Sequence, residues 1–162
     1  MRLAVSDITE PILTESLMTE RLMSLVAILA VCGIVVSSMS LQHHYATSKT
    51  AYCDIGEMFN CDIVNRSAYS SILGIPVALI GMLGYGALAG LATVYRERSE
   101  TAALLFGGAI AGLAFALYLT YIEARVLGVY CILCLSSLGI IAATTILSSV
   151  IWWQHRRRTG DR

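Results

Sequence analysis

Four of the five cysteines in this chain are spaced for sulfur chemistry. Cys131-Ile-Leu-Cys134 sets two thiols three residues apart. On a helix that spacing puts both sulfurs on one face, close enough to bridge. If Cys131 opens the helix, free backbone N–H groups and the helix dipole stabilise its thiolate and lower its pKa. The thiolate is the species that attacks a disulfide, so such a pair is built for exchange. Cys53 and Cys61 form a second, wider pair, and Cys32 stands alone in an apolar run.

The surrounding sequence determines which elements could carry these pairs. The 162 residues are 57% hydrophobic and only 14% charged, whereas soluble domains carry about 25% charged residues. Mean hydropathy is +0.72. A core this small cannot bury so much apolar surface, so lipid must cover part of it. Four stretches, near 22–41, 72–94, 102–122 and 130–153, approach the roughly 20 apolar residues that cross a bilayer, and none has a charge in its middle. The expected fold is an all-α membrane protein. It is a four-transmembrane-helix bundle over 22–153, with a long extracytoplasmic loop at 42–73 between helices 1 and 2. A tail at 1–21 precedes it, frayed or forming a short helix near Pro11, and a basic tail follows at 154–162. The first stretch reads as a retained anchor: it is longer than a signal-peptide core and lacks a clear cleavage site.

Four spans put both termini on one side, with Arg2, Arg21, Arg96, Arg98, Arg156, Arg157, Arg158 and Arg162. The other side holds only Lys49, Arg66 and Arg125. Basic residues near span ends favour the cytoplasm, so both termini are expected there. Trp152 and Trp153 fit one interfacial belt, Tyr118 and Tyr121 the other. Cys53, Cys61, Cys131 and Cys134 then share the extracytoplasmic edge, where disulfides persist. Cys32 reads as a small buried hydrophobe. Gly86 with Gly90, and Gly108 with Gly112, are spaced for close helix packing. Pro76 suits the first turn of the second span.

Three readings of the cysteines stay open: a redox relay, structural disulfides, and a Cys₄ zinc site, since zinc uses the CxxC spacing too. A relay explains why one pair opens a membrane helix. Its electron acceptor follows by elimination. No GxGxxG follows a strand, so no nicotinamide or flavin domain is expected. His43, His44 and His155 lie near or beyond span ends, which leaves no haem ligands inside the membrane, and His43 and His44 read as interfacial polar residues. No intramembrane carboxylate or base marks an ion path, and no basic tract marks nucleic-acid binding. A lipophilic carrier remains, and a membrane quinone (ubiquinone or menaquinone) is the expected one.

The run Cys53-Asp-Ile-Gly-Glu-Met-Phe-Asn-Cys61-Asp-Ile-Val-Asn-Arg-Ser67 resembles the loop of the vitamin K epoxide reductase (VKOR) family. So do Ser71-Ile-Leu-Gly74-Ile-Pro76 and Gly81-Met-Leu-Gly84-Tyr85 after it, and Cys131-Ile-Leu-Cys134 completes the pattern. The likeness covers about 45–145. The related disulfide-forming protein DsbB is also a four-helix quinone enzyme, but its CxxC lies early in the chain.

The resemblance implies a four-helix bundle around a quinone near the extracytoplasmic face of a bacterial inner membrane. Cys131 and Cys134 match the active-site pair, with Cys134 beside the quinone. Cys53 and Cys61 match the shuttle pair: Cys53 meets the partner and Cys61 exchanges with Cys131. Ser67 matches a serine that contacts the quinone, though a capping or loop role also suits it. Animal members carry Thr-Tyr-Ala after the CxxC where Ser137-Leu138-Gly139 stands here, so the likeness points to bacterial thiol-oxidising members more than to epoxide reductases. A bacterial-type homologue without a fused thioredoxin domain is expected, served by a separate thioredoxin-fold, DsbA-like partner. Vitamin K epoxide as substrate is the alternative.

Overall fold

The computed structural model describes residues 3–45, 59–95, 98 and 100–160, with 3–16 and 159–160 described by backbone alone. The elements are α1 (Leu3–Tyr45), α2 (Cys61–Asn65), a 3₁₀ turn (Ala68–Ser70), β1 (Ser71–Ile72), β2 (Ile75–Pro76), α3 (Val77–Thr93), α4 (Thr101–Ile122), a π-helical turn (Glu123–Leu127) and α5 (Ile132–Gly160).

Among the described residues, three helical segments are long and apolar enough to cross a membrane: Leu17–Tyr45, Thr101–Leu127 and Ile132–Arg158. The bundle buries only 28%, 17% and 22% of their most apolar windows, so most of each span is left for lipid. This is a multi-pass membrane protein. Helix α3 is shorter, at 17 residues, because the second apolar stretch does not begin its helix at 72. Residues 71–76 instead form an antiparallel hairpin, Ser71 opposite Pro76 and Ile72 opposite Ile75. Leu73 and Gly74 turn it with φ of 53° and 82°. Two successive positive φ angles make the tight turn that matches strand twist, and hydropathy cannot register that geometry.

Two other expectations change. The segment before residue 22 continues α1 down to Leu3, with Pro11 inside the helix, since extending an existing helix costs far less than nucleating one. Cys32 is exposed. It shares an outward face with Leu25, Ile28 and Val35, each about half exposed, because i, i+3 and i+4 positions stack along one side of a helix.

Helix α1 packs mainly on α3 and α5, and α4 on α5 and α3. Met23, Val26 and Ala30 of α1 meet Tyr85, Leu88 and Ala92 of α3, Leu105 of α4, and Ile141 and Ile151 of α5. Helices in lipid gain little from burying apolar area and associate through close packing. Gly108 and Gly112 supply such packing: a Cβ there would stand 3.3 Å from Leu88 and 3.1 Å from Ile141. Gly86 and Gly90 do not, since a Cβ on either meets nothing within 4 Å. The tightest approach is at Gly33, where a Cβ would lie 2.5 Å from the Tyr85 ring. At the far end of α5, Trp152 stacks on Phe106 at 5.0 Å, while Arg156 and Arg157 lie over Trp152 and Trp153. Tyr118 and Tyr121 are exposed toward the opposite end of α4.

Candidate active site

Cys131 is the residue immediately before α5, and Cys134 lies in its first turn. Both are free thiols. The Cys134 thiol donates to the Cys131 sulfur, and the backbone N–H groups of Cys134 and Leu133 add to that. Together they hold Cys131 below the ordinary thiol range against the opposing effects of burial and the Glu123 charge. Each donor favours the thiolate. The neighbouring thiol contributes more than the backbone of the helix end.

Cys61 opens α2 and is disulfide-bonded. Cys53 lies outside the described residues. The short helix forms here because the Asn60 side chain caps it, accepting the Ile63 N–H at 3.0 Å, which satisfies one of the donors a helix start leaves open. Cys61 and Cys131 are both fully buried, in one cluster with Val64 and Leu133. The segment carrying Cys61 is pinned to the head of α5: Phe59 bridges Tyr130 in parallel register, and the Asn60 N–H donates to the Tyr130 carbonyl at 3.1 Å. A sulfur from the loop and a sulfur from the CxxC therefore share one dry compartment. The disulfide at Cys61 also removes it from any four-thiolate metal site.

Asn65, at the end of α2, is buried. Its amide nitrogen approaches the Cys131 sulfur at 3.9 Å, and its side-chain oxygen accepts the Ser40 hydroxyl at 2.8 Å. His44 Nδ1 lies 2.6 Å from the Asn65 carbonyl, and buried His43 lies 3.6 Å from Asp62. Both histidines thus tie the end of α1 to α2. The Ser67 hydroxyl donates to the Val64 carbonyl at 2.8 Å, which leaves its oxygen able to accept.

A cavity of about 440 Å³ opens inside the bundle, within the range of small-molecule sites. Its walls are largely apolar, with Ile80, Leu88, Leu119 and Ile141 among them. Its polar groups include His44, Ser67, Ser70, Glu123 and Cys134, all from elements at the end where α1 and α4 finish and α5 begins. One turn deeper, the Tyr85 hydroxyl donates to the Ser137 carbonyl at 2.9 Å.

Glu123 is a carboxylate that the expected third span, ending at Ile122, leaves out; the helical segment runs on to Leu127 and contains it. Its side chain is buried, and one carboxylate oxygen accepts the Cys131 backbone N–H at 3.0 Å. A π-helical turn begins at this residue, and such turns recur at functional sites. The available signal was a lone acid beside an apolar run, eight residues before Cys131.

Residues 24–149 match the vitamin K epoxide reductase family. The chain belongs to that family. VKOR proteins are membrane oxidoreductases that act with quinones. The cavity fits a quinone, with apolar walls for ring and tail and, at one end, hydroxyls and a thiol that could meet the ring oxygens. The matched range contains both cysteine pairs, Ser67 and Glu123.

Proposed function

We propose that this VKOR-family protein is a quinone-dependent protein disulfide oxidoreductase, supporting disulfide formation in secreted proteins. The observation that carries the reading is the shared burial of Cys61 and Cys131 under the Asn60–Tyr130 hydrogen bond. In a four-span arrangement with both termini cytoplasmic, both cysteine pairs lie on the periplasmic side of the inner membrane. Arg21, near the start of the first span, and Arg156, Arg157 and Arg158 at the end of α5 support that orientation.

A thiolate of a reduced thioredoxin-fold (DsbA-like) partner attacks the Cys53–Cys61 disulfide at Cys53. A second partner thiol resolves the mixed bond, and the partner leaves oxidised. The loop dithiol then reduces a Cys131–Cys134 disulfide: Cys61 attacks Cys131, Cys134 leaves as thiolate, and Cys53 closes on Cys61. Each exchange conserves one disulfide and moves two electrons inward. Ser67, Ser70 and Ser137 are positioned to hold the quinone, with apolar side chains of α3 and α4 around its ring and tail. When bound, it supplies a two-electron, two-proton acceptor. Cys134 lines the cavity while Cys131 faces the loop, so the pair links the two compartments.

Differential alkylation followed by mass spectrometry, with and without added quinone and reduced partner, tests the reading. Cys53, Cys61, Cys131 and Cys134 should all cycle while Cys32 stays reduced. Quinone-dependent turnover without any change at Cys53 and Cys61 would remove the relay.

A further inference from the structure

Glu123 is 2% exposed, and one of its two carboxylate oxygens holds a backbone N–H. Oε2 accepts the Cys131 N–H, while Oε1 is buried with no partner. Among the described residues no basic side chain pairs with the carboxylate, and the titratable groups acting on it are the thiols of Cys131 and Cys134. It lines the same cavity as Cys134.

A purely structural role explains one oxygen only. Holding the Cys131 N–H needs a single acceptor, and a neutral amide would serve. Burying an ionised carboxylate with an idle oxygen is costly. A carboxyl group that changes protonation state during the reaction has a use for both oxygens. It keeps the head of α5 in place with one and exchanges a proton at the other.

We propose that Glu123 is the proton carrier between the Cys134 thiol and the cavity. The inference rests on the proposed quinone reduction by the Cys131–Cys134 dithiol. In that step two S–H bonds break, one S–S bond forms, and two electrons pass to a membrane quinone as oxidant. The Cys134 proton moves to Glu123 and from there to the reduced acceptor. The Cys131 proton follows through the neighbouring Cys134 sulfur once the first has been passed on, and Glu123 ends as it began. Cys134 and Glu123 line the same cavity, which suits a local carrier because proton transfer requires a donor and acceptor in hydrogen-bonding reach.

The test compares wild type with Glu123→Gln, which keeps the size and the acceptor for Cys131 but cannot take up a proton. Quinone-dependent oxidation should fall by about 100-fold in kcat, the size of a lost general acid–base group, with KM for quinone nearly unchanged and the pH dependence of kcat flattened. Disulfide exchange with a small dithiol in the absence of quinone should persist. A readout independent of steady-state turnover is time-resolved infrared spectroscopy of a single turnover in wild-type protein, in which a carboxylic acid band should rise and then decay. Wild-type kcat and pH profile in Glu123→Gln would overturn the proposal. If that variant does not fold, a wild-type single turnover without any transient carboxylic acid band overturns it instead. Wild-type protein that oxidises no thiol with quinone would sink the parent reading, an outcome separate from either of these.

Discussion

Asn60 gives its backbone N–H to the carbonyl of Tyr130 at 3.1 Å, and each of these residues is followed directly by a cysteine. That single backbone bond couples the positions of Cys61 and Cys131, which come from segments about 70 residues apart in the chain. The side chain of Asn60 meanwhile caps α2, so one residue sets both the orientation of Cys61 and its place against α5. In a Cys134→Ser background, where the resolving thiol is gone, a Cys61–Cys131 bridge should accumulate and be visible by non-reducing mass spectrometry. Adding Asn60→Pro, which deletes the N–H, should cut its yield several-fold. Asn60→Ala removes only the cap, worth about 1 kcal/mol, and should cut it less. Equal yields in all three would mean that the backbone bond does not position the sulfurs.

The cysteines should separate by location. Cys131→Ser should abolish quinone-dependent thiol oxidation. Cys32→Ser should leave it nearly intact, because Cys32 sits on an outward face of α1 away from the cavity. Turnover assays on purified protein in lipid decide this, and equal loss in both variants would count against the sorting.

Thiol reactivity should follow pH in a defined direction. Cys131 is held below the ordinary thiol value mainly by the Cys134 thiol, so its alkylation rate should rise with pH through a midpoint below that of an unperturbed thiol. Cys134→Ala should move that midpoint up, and Cys134→Ser, which keeps a hydroxyl donor, should move it less. The linked stability has the same sign. A lowered folded-state pKa stabilises the reduced protein above the unfolded thiol's pKa, and that contribution is lost as pH falls through the folded value. Alkylation kinetics and thermal unfolding across pH measure the two effects, and an unshifted midpoint in Cys134→Ala would contradict the assignment.

Helix packing gives the clearest contrast between two glycines. Gly33→Ala would drive a methyl into the Tyr85 ring, costing about 1–3 kcal/mol as overpacking and disturbing the Tyr85–Ser137 bond beside the cavity. Gly86→Ala meets open space and should leave stability undiminished. Thermal unfolding in detergent distinguishes them, and a harmless Gly33→Ala would show that α1 and α3 can separate freely.

Composition, hydropathy and cysteine spacing were enough to place this chain in a membrane and to group Cys131 with Cys134 at a helix start, while the family came from the likeness of the runs around Cys53–Tyr85 and Cys131–Cys134. Those properties are local: an apolar run or a CxxC carries its meaning in neighbouring residues. The hairpin at Ser71–Pro76 was not legible, because Leu73 adopts a left-handed conformation that apolar residues seldom take. Cys32 was misread because a uniformly apolar helix does not indicate which face meets protein and which meets lipid. Only the tertiary structure brought Asn60 to Tyr130, Gly33 to Tyr85 and Glu123 to the Cys131 N–H. Each of these contacts joins residues on different segments, and its geometry is set by how the helices cross and where a π-helical turn redirects the chain.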